Sequence, residues 1–258
     1  MERQKRALAV HDISCIGKCS LTAALPIISA AGVETAVIPT AVLSTHTGGF
    51  DGFTYRDLTD DILPVSKHWQ DLGIKFDAIY TGFLGSIRQV DIIIEVLNTF
   101  GKNCLKIVDP AMADDGRLYS IYTPDMVVAM RQLVSKAHIV KPNYTEACFL
   151  LDIPFSTNPI SEDELRERCK QLHHMGPEMV IMTSVPSKTH AVIAVYDGPT
   201  DFLKTYSIPL VPVKATGTGD IFTAVLSGAV MRGYSPYDAA ELAMNFTTKA
   251  IQATLDTV

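Results

Sequence analysis

Gly217-Thr218-Gly219-Asp220 stands directly before the apolar run 221–231. The opening amides of a helix have no partner inside it and sit at the positive end of its dipole. Glycine lets such a backbone come close to an anion. The turn can therefore cradle a transferring phosphoryl group, with Asp220 taking the proton of an attacking hydroxyl. The same residues also describe a loop closed by an ordinary helix cap, so other positions have to decide between the two.

Further carboxylates lie at predicted strand exits. Asp109 follows the apolar stretch 104–108, Pro110 stops that strand, and Asp114-Asp115-Gly116 comes shortly after. Carboxylates placed there suit Mg²⁺, which takes a few oxygen ligands along with water and phosphate. Asp-Asp-Gly is also ordinary turn chemistry. Asn143 and Glu146, three residues apart, make a capping-box pattern. A functional reading adds that both face nucleotide phosphates through magnesium and water. His46 sits in the Gly-rich loop 44–52, where a lone histidine says little. His173-His174 is read as surface, and the histidines show no order suited to a hydrolase triad. Gly17-Lys18-Cys19-Ser20 fails as a phosphate loop, because Asp12 stands where that pattern needs glycine.

These residues must be held by a scaffold, and the chain spells one out. Strands are predicted over 7–11, 35–38, 41–43, 78–81, 104–108, 138–140, 179–182, 191–195 and 202–208. Helices are predicted over 20–31, 60–72, 86–100, 125–136, 162–174, 218–231 and 236–253, with another after Asn143. Alternation of the two implies an α/β fold of three layers, a mostly parallel sheet with helices on both faces. One domain over 1–258 is expected, since no linker or repeat divides the chain. Ligands of such sheets bind at the carboxyl ends of the strands. Asp12, Gly82, Asp109, Asn143 and Thr183 each follow a strand candidate.

Composition narrows the choice of partners. The chain has 258 residues, 47% hydrophobic and 19% charged, with a formal net charge of -6. That balance speaks against a nucleic-acid surface, and the basic cluster 3–6 is read as a solvated terminus. The five cysteines show no zinc spacing and are expected to be reduced, mostly buried thiols of a cytoplasmic protein. The apolar residues 7–10 are too few for a signal-peptide core, and no stretch is long enough to span a membrane.

Taken in order, Thr45-His46-Thr47-Gly48, Tyr80-Thr-Gly-Phe-Leu-Gly85, Val108-Asp-Pro-Ala-Met112, Lys141-Pro-Asn-Tyr-Thr-Glu146, Thr183-Ser184 and Gly217-Thr-Gly-Asp220 resemble the ribokinase-like superfamily, and most closely its pyridoxal/pyridoxamine kinases. The resemblance spans nearly the whole chain. It implies ATP-dependent phosphorylation of the 5′-hydroxymethyl group of pyridoxal, pyridoxine or pyridoxamine, with Asp220 as base and the amides of Gly217, Thr218, Gly219 and Asp220 as anion hole. It places Asp109, Asp114 and Glu146 around Mg²⁺, and Asn143, Glu146, Thr183 and Ser184 at ATP. Asp12, His46, Thr47 and Phe83 would line the ring pocket. A homodimer is implied too, and a monovalent cation is left open.

Three positions depart from the pattern. Asp12 replaces a common Ser, as in hydroxymethylpyrimidine kinases; Phe83 replaces a common Tyr; Lys141 replaces Thr or Ala. The turn before Asp220 has no Cys, so the aldehyde-trapping thiol of some relatives is not expected. A hydroxymethylpyrimidine acceptor and a non-catalytic vitamer-binding protein stay as alternatives. Sugar kinases of this fold carry an extra β lid that is not evident.

Overall fold

A computed structural model describes residues 3–48, 50–213 and 215–255. Among these residues nine strands form one sheet. In chain order they are β1 (Arg6–Ser14), β2 (Glu34–Leu43), β3 (Tyr55–Asp57), β4 (Ala78–Thr81), β5 (Leu105–Val108), β8 (Ile139–Val140), β9 (Met179–Met182), β10 (His190–Asp197) and β11 (Phe202–Pro209). A separate two-stranded ribbon pairs β6 (Ala113–Asp114) with β7 (Arg117–Leu118). Across the sheet the order is β11-β10-β9-β8-β5-β4-β1-β2-β3. The six strands from β2 to β9 run parallel, and β3, β10 and β11 join antiparallel at the edges.

Alternation along the strands assigns the two faces. Leu8 and Val10 of β1 point into the larger core, beneath α3 (Ile87–Phe100), α4 (Pro124–Val134), α5 (Tyr144–Leu151) and α6 (Glu162–His173), with α2 (Thr59–Asp71) at its margin. Ala7, Ala9 and Ala78 point the other way, toward α1 (Ser20–Ala30) and α7 (Thr218–Met231), with α8 (Pro236–Leu255) alongside. Small side chains on that second face let the helices sit close. A Cβ on Gly228 of α7 would lie 2.9 Å from that of Ala31. The layered α/β architecture expected from the alternation is the one observed.

Several local expectations change. β2 is one continuous strand through Pro39 and not the two segments 35–38 and 41–43. Pro39 pairs with His11, and the β1–β2 register shifts between His11 and Ile13. Proline lacks a ladder donor and is tolerated at such irregularities. Asp12 consequently lies inside β1 rather than beyond it. Strands β3, β6 and β7, of three, two and two residues, carry too little pattern to be read from the chain. The basic start is tied down rather than merely solvated: Arg3 pairs with Asp77 at 2.8 Å, and the Arg6 amide donates to the same carboxylate at 2.7 Å. The cysteines are free as expected, four of them buried and Cys15 exposed.

Candidate active site

Asp220 lies in the first turn of α7 behind Gly217, which caps the helix at φ 73°. That left-handed backbone suits glycine. A side chain there would also collide with the loop before α1, since a Cβ would lie 2.4 Å from the Lys18 carbonyl oxygen. The amides of Thr218, Gly219 and Asp220 open α7 and have no helical partner of their own. Gly217, Thr218 and Gly219 are all partly exposed, and the Asp220 side chain is 16% exposed. The carboxylate thus keeps an opening beside those donors.

Two donors from the N-terminal segment hold Asp220. The Ser20 amide donates to Oδ2 at 2.7 Å, and His11 Nε2 lies 3.1 Å from Oδ1. Ser20 has φ 56° and Lys18 φ 52°, a left-handed loop of non-glycine residues that aims the Ser20 amide at the carboxylate. His11 Nδ1 in turn lies 2.8 Å from Asp12 Oδ1, and the Ser14 hydroxyl donates to Asp12 Oδ2 at 2.8 Å. Burial disfavours a charge on His11, yet the Asp220 and Asp12 carboxylates outweigh it and lift the imidazole to about 10. Burial likewise pushes Asp220 up, but His11, the Ser20 amide and Lys141 hold it below the usual carboxylate range. Asp12, expected at the substrate ring, is only 4% exposed and has both oxygens engaged by protein.

A second cluster lies beneath Gly219. Lys141, 3% exposed, places Nζ 2.7 Å from Asp109 Oδ2. The Thr223 hydroxyl donates to the same oxygen at 2.7 Å. A Cβ on Gly219 would stand 3.4 Å from Lys141 Nζ, so this ammonium borders the backbone cradle. Burial would lower the lysine, but Asp109 and Glu146 prevail and its pKa is raised.

The capping box is real. Asn143 Oδ1 accepts from the Glu146 amide at 2.8 Å, and Glu146 Oε2 accepts from the Asn143 amide at 2.8 Å. Glu146 Oε1 accepts from the Met112 amide at 2.9 Å. Burial and then Asp109 push Glu146 up to about 8, against Lys141 and the two amides. Asn143 Nδ2 also donates to the Ala113 carbonyl at 2.7 Å, joining α5 to the β6–β7 ribbon. Thr183 bridges to Asn143 at the end of β9, and Ser184 beside it is exposed with φ 55°.

The three carboxylates expected around Mg²⁺ do not converge. Asp109 is committed to Lys141 and Thr223, Glu146 to two amides, and Asp114 is exposed on β6. Among the described residues no three His, Cys, Asp or Glu side chains gather as a metal site. These residues do not fit a resident metal shell.

The remaining expected residues lie elsewhere around the same strand ends. His46 packs its ring edge-on to Phe50, with centroids 5.0 Å apart, and presses on Gly17, whose Cβ would lie 2.2 Å from the ring. Thr47 is half-buried next to it. A cleft of about 440 Å³ is lined by His46, Phe50, Ile16, Gly17, Lys18 and Thr216. Phe83 is buried and stacks on Tyr122 at 5.7 Å. A separate cleft of about 540 Å³ is lined by Ile208, Leu210, Val211, Pro212, Asn245 and Gln252.

Sequence reasoning gave no role to His11, Ser14, Ser20, Lys141 or Thr223. Thr223 had a signal, standing three residues after Asp220 and so on the same helix face. His11 had none, because neighbouring residues of a regular strand face opposite ways.

Residues 19–257 match the phosphomethylpyrimidine kinase family. A Bacteroides thetaiotaomicron protein assigned as a phosphomethylpyrimidine kinase and crystallised with pyridoxal is 39% identical, with a TM-score of 0.93 over 98% of this chain and 89% of that one. The pyridoxal kinase of Arabidopsis thaliana is 29% identical over 97% of this chain and 82% of its own. The hydroxymethylpyrimidine/phosphomethylpyrimidine kinase of Bacillus subtilis (strain 168) is 28% identical, covering 84% of this chain and 78% of its own. With the family match running from the loop before α1 through α8, and a carboxylate set against open helix amides, this chain belongs to the phosphomethylpyrimidine kinase family and is a phosphotransferase acting on an alcohol.

Proposed function

We propose that the protein transfers the γ-phosphoryl group of ATP to the 5′-hydroxymethyl group of a B6 vitamer, pyridoxal, pyridoxine or pyridoxamine. The observation that carries this reading is Asp220, held by two donors yet open to solvent, beside the free amides at the start of α7. The alcohol's O–H breaks toward Asp220, its oxygen forms the new O–P bond, and the bond to the β-phosphate bridging oxygen breaks as ADP leaves. The amides of Thr218, Gly219 and Asp220 face the charge that builds on the moving group, and the Lys141 ammonium next to Gly219 adds to that field. The apolar cleft between the end of β11 and α8 suits a flat nucleobase. The acceptor enters by the cleft at His46 and Phe50. Mg²⁺ is proposed only as the ion that ATP carries with it, since phosphate and water supply most of such a shell.

A hydroxymethylpyrimidine acceptor is the second reading. The family match favours it, as does the Bacillus subtilis relative. ADP release measured with each vitamer and with hydroxymethylpyrimidine separates the two. Turnover of the vitamers is expected; turnover of the pyrimidine alone would transfer the assignment, and none with either acceptor would remove it.

A further inference from the structure

His11 is 2% exposed and has a carboxylate at each ring nitrogen. A solvated ion pair has neither feature. The arrangement is specific to this backbone. In a regular strand His11 and Asp12 would face opposite sides of the sheet, but the register shift between His11 and Ile13 turns both toward one cluster. Gly82 at the end of β4 completes the space, since a Cβ there would lie 1.9 Å from His11 Cδ2. The Tyr80 ring meets the imidazole edge at 5.9 Å. Ser14 then takes the second oxygen of Asp12, so Asp12 is oriented as tightly as the histidine it orients.

We propose that His11 is a positioning residue for phosphoryl transfer: held by Asp12, it fixes the Asp220 carboxylate with one lone pair of Oδ1 tied down and the rest directed at the acceptor alcohol. The inference rests on the reading of Asp220 as the base. Asp12 then acts through His11 and not by touching the acceptor ring. The charged and titratable groups facing His11 are Asp12 on its own strand, Asp220 on α7 and Tyr80 on β4. Cys19 and Lys141 lie further out against Asp220. His11 Nδ1 lies 3.0 Å from the Asp12 amide as well as 2.8 Å from Asp12 Oδ1. Protonation of the ring commits Nδ1 to the carboxylate at the expense of the amide contact, and the bridge then carries one positive charge between two negative ones.

A purely structural salt bridge would predict lost stability and nothing else. The test therefore reads pH dependence. In H11Q, kcat is expected to fall by about 10-fold or more, with KM for ATP nearly unchanged, because an orienting partner acts on the chemical step. The acid limb of the kcat profile should move to higher pH, since Asp220 loses the cation that depresses it. If H11Q does not fold, D12N is read in its place and should show the same shift. Independently of turnover, the His11 ring nitrogens in the wild-type protein should both stay protonated well above pH 8 by ¹⁵N NMR, and lose that behaviour in D220N. An unmoved acid limb in the folded variants, or a wild-type ring that titrates like a free histidine, overturns the proposal. Wild-type protein inactive on every acceptor would instead sink the kinase reading, while the NMR measurement still decides whether the bridge exists.

Discussion

Asp220 shows what single residues disclose. Its type, its place after two glycines and its place before an apolar helix were all legible, and the structure puts it at an open helix start. Its partners were not legible, because Ser20 and His11 reach it from some two hundred positions earlier in the chain. Asp220→Asn keeps the shape and removes the base. Turnover should drop by about 10²-fold or more while ADP binding, followed by calorimetry, stays near wild type. Gly82 gives a sharper steric expectation. Gly82→Ala would set a methyl 1.9 Å from His11, so the ring must move and Asp220 loses its aim. Activity should fall far more than the thermal midpoint, and equal losses of both would mean the glycine serves only folding.

At the scale of elements, the helices and the short central strands β4, β8 and β9 were legible, whereas β3, β6 and β7 were not. The 3.6-residue period marks α3 and α6 over three or more turns. β6 and β7 offer two residues each, and they form because the Asn143 amide group and the Thr145 hydroxyl anchor the ribbon to α5. The bulge in β1 was equally hidden. It comes from pairing with a proline-containing neighbour, a tertiary event with no local mark. Asn143 joins capping to this ribbon, so Asn143→Ala should cost about 1–2 kcal/mol of stability. Urea unfolding would check it, and a change under about 0.5 kcal/mol would show that another group caps α5.

Across the whole molecule, buried charge sets the pH response. His11 is raised from 6.5 to about 10, so its contribution to stability is fully present below about 6.5 and is lost as pH rises through about 10. Glu146, raised from 4.5 to about 8, declines in the same direction over a lower window. Asp220 is depressed, so its contribution is present above about 3.8 and lost as pH falls below. Thermal midpoints should therefore peak on the acid side of neutrality and decline toward pH 9.5. Asp220→Asn should flatten the alkaline part of that decline, because the imidazole no longer gains a full partner. A flat wild-type curve above pH 6.5 would contradict the buried cation. The layered fold followed from alternation alone, and no helix among the described residues is long and apolar enough to cross a membrane.

Gly217 meets the Lys18 carbonyl with no room for one more carbon. The turn that opens α7 and the loop that opens α1 are thus moulded against each other, though they come from opposite ends of the chain. Neither can drift in sequence by itself. A graft of residues 215–220 from a relative would need residues 17–19 of the same donor to seat properly, so substitutions in these two stretches should be epistatic and their histories paired.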